Sequence, residues 1–193
     1  ILRNVTVAYM DDDGIDTLDA DVLAEGIICR NCSDKGISAF GGSLQLNGGL
    51  LVNNGIGISA KDDSKVILTG VTISGNSEVG LQVENKDGDD EPSEYTVNNS
   101  ILWGNEVEVR TDYSEEDIDI NGSIVEGGWS DNQNADPLFR SADNGDFRLL
   151  ENSPAILEGQ GDVGFYDFVA VGGEVRWDLD DSPYHVTDDV EIP

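Results

Sequence analysis

One short pattern, a glycine followed by an aliphatic residue, returns along the chain at nearly constant spacing. It appears as Gly14-Ile15, Gly36-Ile37, Gly57-Ile58 and Gly80-Leu81, and a fifth unit opens at Glu108-Val109 with the glycine lost. From residue 14 to 36, 57, 80 and 108 the successive intervals are 22, 21, 23 and 28 residues. A unit of this length is one supersecondary element that cannot bury its apolar face alone and must stack on its neighbours.

The pattern inside each unit sets its geometry. Ile15, Ile37, Ile58, Leu81 and Val109 are followed two positions on by Thr17, Ala39, Ala60, Val83 and Thr111. Asp16, Ser38, Ser59, Gln82 and Arg110 lie between them, which is the period of a strand with one face inward. A second strand follows at Val22/Ala24, Leu44/Leu46, Val66/Leu68, Tyr95/Val97 and Ile118/Ile120. A third inward column comes at Cys29, Leu51, Ile73, Leu102 and Val125, and a turn column at Cys32, Asn54, Asn76 and Asn105. Leu2, Val7 and Met10 fit the same count as a partial unit. Asparagine suits the turn column because it tolerates turn dihedrals and its amide can bond to the next rung.

Three short strands per unit predict a coil of parallel strands with like residues one rung apart, ~4.8 Å. The missing leucine and helical signatures exclude leucine-rich, ankyrin and tetratricopeptide repeats. On these columns the chain resembles the right-handed parallel β-helix of pectate-lyase-like proteins and secreted bacterial surface proteins. The expected fold is all-β, a right-handed parallel β-helix of about five coils with a C-terminal cap. The handedness comes from the resemblance and from the rule for parallel connections. Expected boundaries are 1–128 for the coils, 129–168 for the capping region and 169–193 for a tail or following module.

Charge excludes some partners. The chain carries 40 acidic and 10 basic residues, a net −30, which disfavours nucleic acid and anionic membranes. No apolar run is long enough to span a bilayer as a helix. Ile1, with no start methionine and no leader-like region, reads as the beginning of an excised piece with more coils upstream.

Cys29 and Cys32 form a lone C-x-x-C, and the only histidine, His185, is distant in sequence. The repeat count makes them structural thiols in stacked columns, with a disulfide across the turn as the alternative. Asp12, Asp34, Glu78 and Glu106 each stand two residues before a unit's first position, and stacked like charges repel unless a cation bridges them. Asp87, Asp89, Asp90 and Glu91, in the insertion that lengthens the fourth unit, are the candidate metal ligands, with Ca2+ as the ion they would hold. Asp112, Glu115, Glu116 and Asp117 form the bend that would face them. A solvated acidic loop is the equal alternative, and the reading requires no cofactor.

The resemblance raises an enzymatic alternative, a polysaccharide hydrolase or lyase. Its only candidate acids are Asp12, Asp13, Asp16 and Asp34, as a carboxylate pair for glycoside hydrolysis. The Gly-His-Gly and Arg-x-Lys motifs of polygalacturonase-like enzymes are both missing, and the candidate bases near the exposed strand column are Lys35, Lys61 and Lys65. Ala135-Asp-Pro-Leu-Phe139, Asn152-Ser-Pro-Ala-Ile156 and Gly161-Asp-Val-Gly-Phe-Tyr166 resemble the closing end of secreted bacterial β-helix proteins that bear interchangeable anchors. Leu138, Phe139, Phe147, Leu149, Ile156, Phe165 and Phe168 are expected to cap the stack. Trp177 and Ser182-Pro-Tyr-His-Val186 look like the opening of another such module. The expected function is a non-catalytic, extracellular module: a rigid spacer, adhesion or carbohydrate-binding surface beside neighbouring modules of the parent chain.

Overall fold

A computed structural model describes residues 1–86 and 93–156, and the backbone of three short strands, Val169–Ala170, Gly173–Arg176 and His185–Val186. The chain winds as a parallel β-solenoid of about five turns. Its opening strands are β1 (Leu2–Arg3) and β2 (Thr6–Ala8), followed by the long, bent β3 (Ile15–Arg30) and β4 (Lys35–Val52). Next come β5 (Ile56–Lys61), β6 (Lys65–Ser74), β7 (Val79–Glu84), β8 (Glu94–Asn98) and β9 (Ile101–Trp103). The last turn holds β10 (Val109–Thr111), β11 (Ile118–Asn121) and β12 (Ile124–Val125).

The register reproduces the predicted columns. Ile15 pairs with Ile37, Ile37 with Ile58, Ile58 with Leu81 and Leu81 with Val109. The second column runs Val22, Leu44, Val66, Tyr95 and Ile118, and the third runs Val7, Cys29, Leu51, Ile73, Leu102 and Val125. Ile58, Leu51, Ile73 and Leu81 are fully buried in one core that continues from turn to turn.

The turn asparagines differ in part from expectation. Left-handed backbone falls one residue earlier, at Tyr9, Asn31, Asn53, Gly75, Gly104 and Gly127, the position that reverses the chain after the third strand. Asn54, Asn76 and Asn105 instead build an internal ladder. Asn54 N–H and Nδ2 both donate to Asn76 Oδ1, at 3.0 and 3.2 Å, and Asn76 donates likewise to Asn105 Oδ1, at 3.0 and 2.8 Å. Each Nδ2 also reaches back to a carbonyl of the preceding strand, Cys29 for Asn54 and Leu51 for Asn76.

This ladder explains the repeated glycine. A Cβ on Gly57 would lie 2.5 Å from the Gly80 carbonyl oxygen and 2.9 Å from Asn76 Nδ2. The same crowding holds at Gly36 and Gly80, so the column is glycine for space.

The described part of the C-terminal segment adds a hairpin to the coil. β13 (Phe139–Ser141) and β14 (Asp146–Leu149) form an antiparallel hairpin. Phe147 packs on Ile28, Leu50 and Val52, and Leu149 packs near Ile101 and Ile124. Ile28, Leu50, Thr72, Ile101 and Ile124 form one column on the outward face of the third sheet. The hairpin therefore lies along the flank of several turns, because that outer face is apolar. Trp129 and Tyr113 pack against the main core. Phe165, Phe168, Trp177 and Ser182–Tyr184 lie outside the described residues, as do the side chains of His185 and Val186.

Candidate functional site

The stacked bends before β3 and β4 bring three of the predicted acids together. Carboxylate oxygens of Asp12, Asp13 and Asp34 lie within 4.8 Å of one another. Lys35 folds into the group: its ammonium is 2.5 Å from Asp34 Oδ2 and 3.5 Å from Asp13 Oδ1, and its backbone N–H donates to Asp13 Oδ1 at 3.1 Å. The lysine is buried. Burial pulls its pKa down, but the contacts with Asp34 and Asp13 outweigh this and hold it above the ordinary lysine value. Lys35 thus supplies the positive charge that stacked carboxylates demand.

The predicted acidic column is also interrupted. Gly55 occupies the rung between Asp34 and Glu78, with Gly55 N–H on the Cys32 carbonyl and Glu78 N–H on the Gly55 carbonyl. At that rung no side-chain charge exists to extend the cluster.

Asp16 stands apart from the bend. It is exposed, on the outward face of β3, paired in register with Ser38. The outward column continues through Ser59, Gln82 and Arg110. Here alternation misleads, since Ser38 and Ser59 are fully buried although they point away from the core. Lys61 is buried as well, and its ammonium lies 3.0 Å from Ser38 Oγ. Ser59 Oγ and Gln82 Oε1 are buried without a hydrogen-bond partner. Small serines on adjacent rungs beside Phe40 and Lys61 were the available signal. Lys65, the third candidate base, makes an exposed pair with Glu94 at 3.3 Å.

Asp87, Asp89, Asp90 and Glu91 lie outside the described residues. On the facing bend, Asp112 Oδ2 accepts the Asn85 N–H at 3.1 Å. Glu115–Asp117 form a 3-10 turn capped by Ser114, whose oxygen accepts the Glu116 N–H while Asp117 accepts the Ser114 N–H. This reciprocal cap gives the acidic run a local structural role.

Cys29 and Cys32 are both unbonded and buried. Burial, reinforced by Cys32, pushes the Cys29 thiol up to about 12, and burial raises Cys32 as well. Protonated, enclosed thiols are poor nucleophiles, so they behave as core residues.

Glu108 carries a role that sequence reasoning missed. It stands where the glycine column ends, and its two carboxylate oxygens accept the N–H and Nδ2–H of Asn105. The loss of glycine at this position was the signal. No protein-family model, curated protein or solved structure matches this chain.

Proposed function

We propose that the chain is a non-catalytic β-solenoid module of a larger secreted or cell-surface protein. It acts as a rigid spacer that presents an adhesion or carbohydrate-contacting surface between neighbouring modules. In this reading the winding is right-handed, as the rule for parallel connections favours. The observation that carries it is the unbroken interior: three apolar columns and an asparagine ladder run through successive turns without a gap. Such a stack resists bending because each turn is bonded to the next along its strands. The candidate acids support it too, since Asp13 and Asp34 are engaged by Lys35 while Asp16 sits on a separate, exposed face.

Hydrogen exchange tests the rigidity: the interior amides of β3 to β9 are expected to open as one cooperative unit. Independent opening of single turns would overturn the spacer. Incubation with neutral and uronate polysaccharides is expected to release neither reducing ends nor unsaturated sugars. Turnover lost in Asp16→Asn would establish the hydrolase or lyase alternative. Calcium stabilisation is the accessory part of the proposal, motivated by the acid-rich run from Asp87 to Glu91. Melting curves with calcium and with chelator, at matched ionic strength, check it; identical curves remove it.

A further inference from the structure

The asparagine ladder needs an end, and the way it ends is chemically distinctive. Cys32 N–H donates to Asn54 Oδ1, Asn54 to Asn76, and Asn76 to Asn105. Glu108 then receives Asn105, with Oε1 2.9 Å from the backbone nitrogen and Oε2 on the side-chain amide. The neighbouring amide, Gly104 N–H, donates to Glu126 Oε2 at 2.7 Å. Two carboxylates are therefore held on consecutive backbone amides, one from the turn before β10 and one from the chain leaving β12.

We propose that the Glu108–Glu126 pair is a proton-operated latch on the last turn of the solenoid, closed while the two carboxyls share a proton and loosened when both ionise. Carboxylates seated on consecutive amides, Glu108 half-buried and Glu126 exposed, repel when both ionise, and a shared proton converts that repulsion into a hydrogen bond. From the chain leaving β12, the titratable group beside Glu108 is Glu126, whose Oε2 accepts the amide next to the one that Glu108 accepts. Burial pushes Glu108 up to about 7, with the Asn105 bonds pulling the other way and Glu126 adding to the rise. The folded value lies above that of the unfolded chain, so the folded state binds more protons between the two. The latch's contribution is thus complete below the unfolded carboxyl range and is lost as pH rises through about 7. Glu108 ends the ladder and Trp129 packs against the core, so loosening should reach β10 to β12 before it reaches the middle turns.

The test is hydrogen exchange on the whole chain, corrected for intrinsic rates, between about pH 6 and pH 8. Protection of amides 104–126 is expected to fall about tenfold across that window, with β4 and β5 unchanged. In Glu108→Gln, which cannot ionise but gives up one of the two acceptors that Asn105 uses, protection should be lower at every pH and the fall with pH should disappear. In Glu126→Gln the midpoint should move to lower pH, because the like charge is gone. Equal pH slopes in the parent and both variants would overturn the latch. If a variant fails to fold, the carbon resonance of the Glu108 carboxyl in the parent decides the matter: a midpoint near 7 supports the proposal, and one near the free carboxyl value of about 4.3 ends it.

Discussion

Ile58 and Ile15 occupy the same column of the same repeat, yet Ile58 is fully buried and Ile15 only partly so. The contrast extends along each turn. In the middle turns Ile37, Leu46, Leu68 and Leu81 are enclosed, whereas in the first turn Leu2, Val5 and Val7 are partly buried and Met10 is exposed. The residue types hardly differ. Burial belongs to the stack: a rung is closed by having a neighbour on each side, and among the described residues the first turn has a neighbour on one side.

Replacing Ile58 by Asp should therefore have the largest effect, about 4 kcal/mol or more, because it places a charge inside a continuous core. Ile15→Asp should cost about 1–2 kcal/mol, since the carboxylate can reach water. Urea unfolding of both variants measures the gap, and equal losses would deny that stacking governs burial. Next in size is Gly57→Ala, expected at about 2–4 kcal/mol, where the new methyl meets the Gly80 carbonyl and the Asn76 amide. A neutral Gly57→Ala would mean that the ladder can shift aside.

The ladder itself can be cut in the middle and lengthened at the start. Asn76→Ala leaves the Asn54 N–H and the Leu51 carbonyl without their partner and should cost about 2–3 kcal/mol. Cys32→Asn adds a rung where a thiol now stands and should be neutral or stabilise by about 1 kcal/mol. A loss from Cys32→Asn comparable to that from Asn76→Ala would show that the first turn cannot accept the ladder geometry. The smallest effect concerns reactivity. At about pH 8 a thiol reagent should label neither cysteine in the native protein and both after denaturation, given the raised Cys29 and Cys32 thiols. Prompt labelling of Cys32 alone would mark the first turn as the one that opens.

The parallel coil, its three inward columns and the register of nearly every described strand were legible in the chain. A period of two and a repeat of about 22 residues are local spacings, and stacking is the one way to bury such units. The carboxylates of Asp12, Asp13 and Asp34 were likewise foreseeable as neighbours, because they hold equivalent or adjacent positions. Tertiary structure decided what spacing does not encode. Lys35 turned the acidic bend into a partly buried ion pair, and Lys61 bonded to Ser38, a serine that alternation placed in water. Glu108 closed a ladder that needed one more acceptor. The hairpin around Phe147 found its place on Ile28, Leu50 and Val52, residues roughly a hundred positions earlier. Those contacts depend on which side chains meet once the coil exists, and a long side chain's reach across rungs leaves no periodic trace in the sequence.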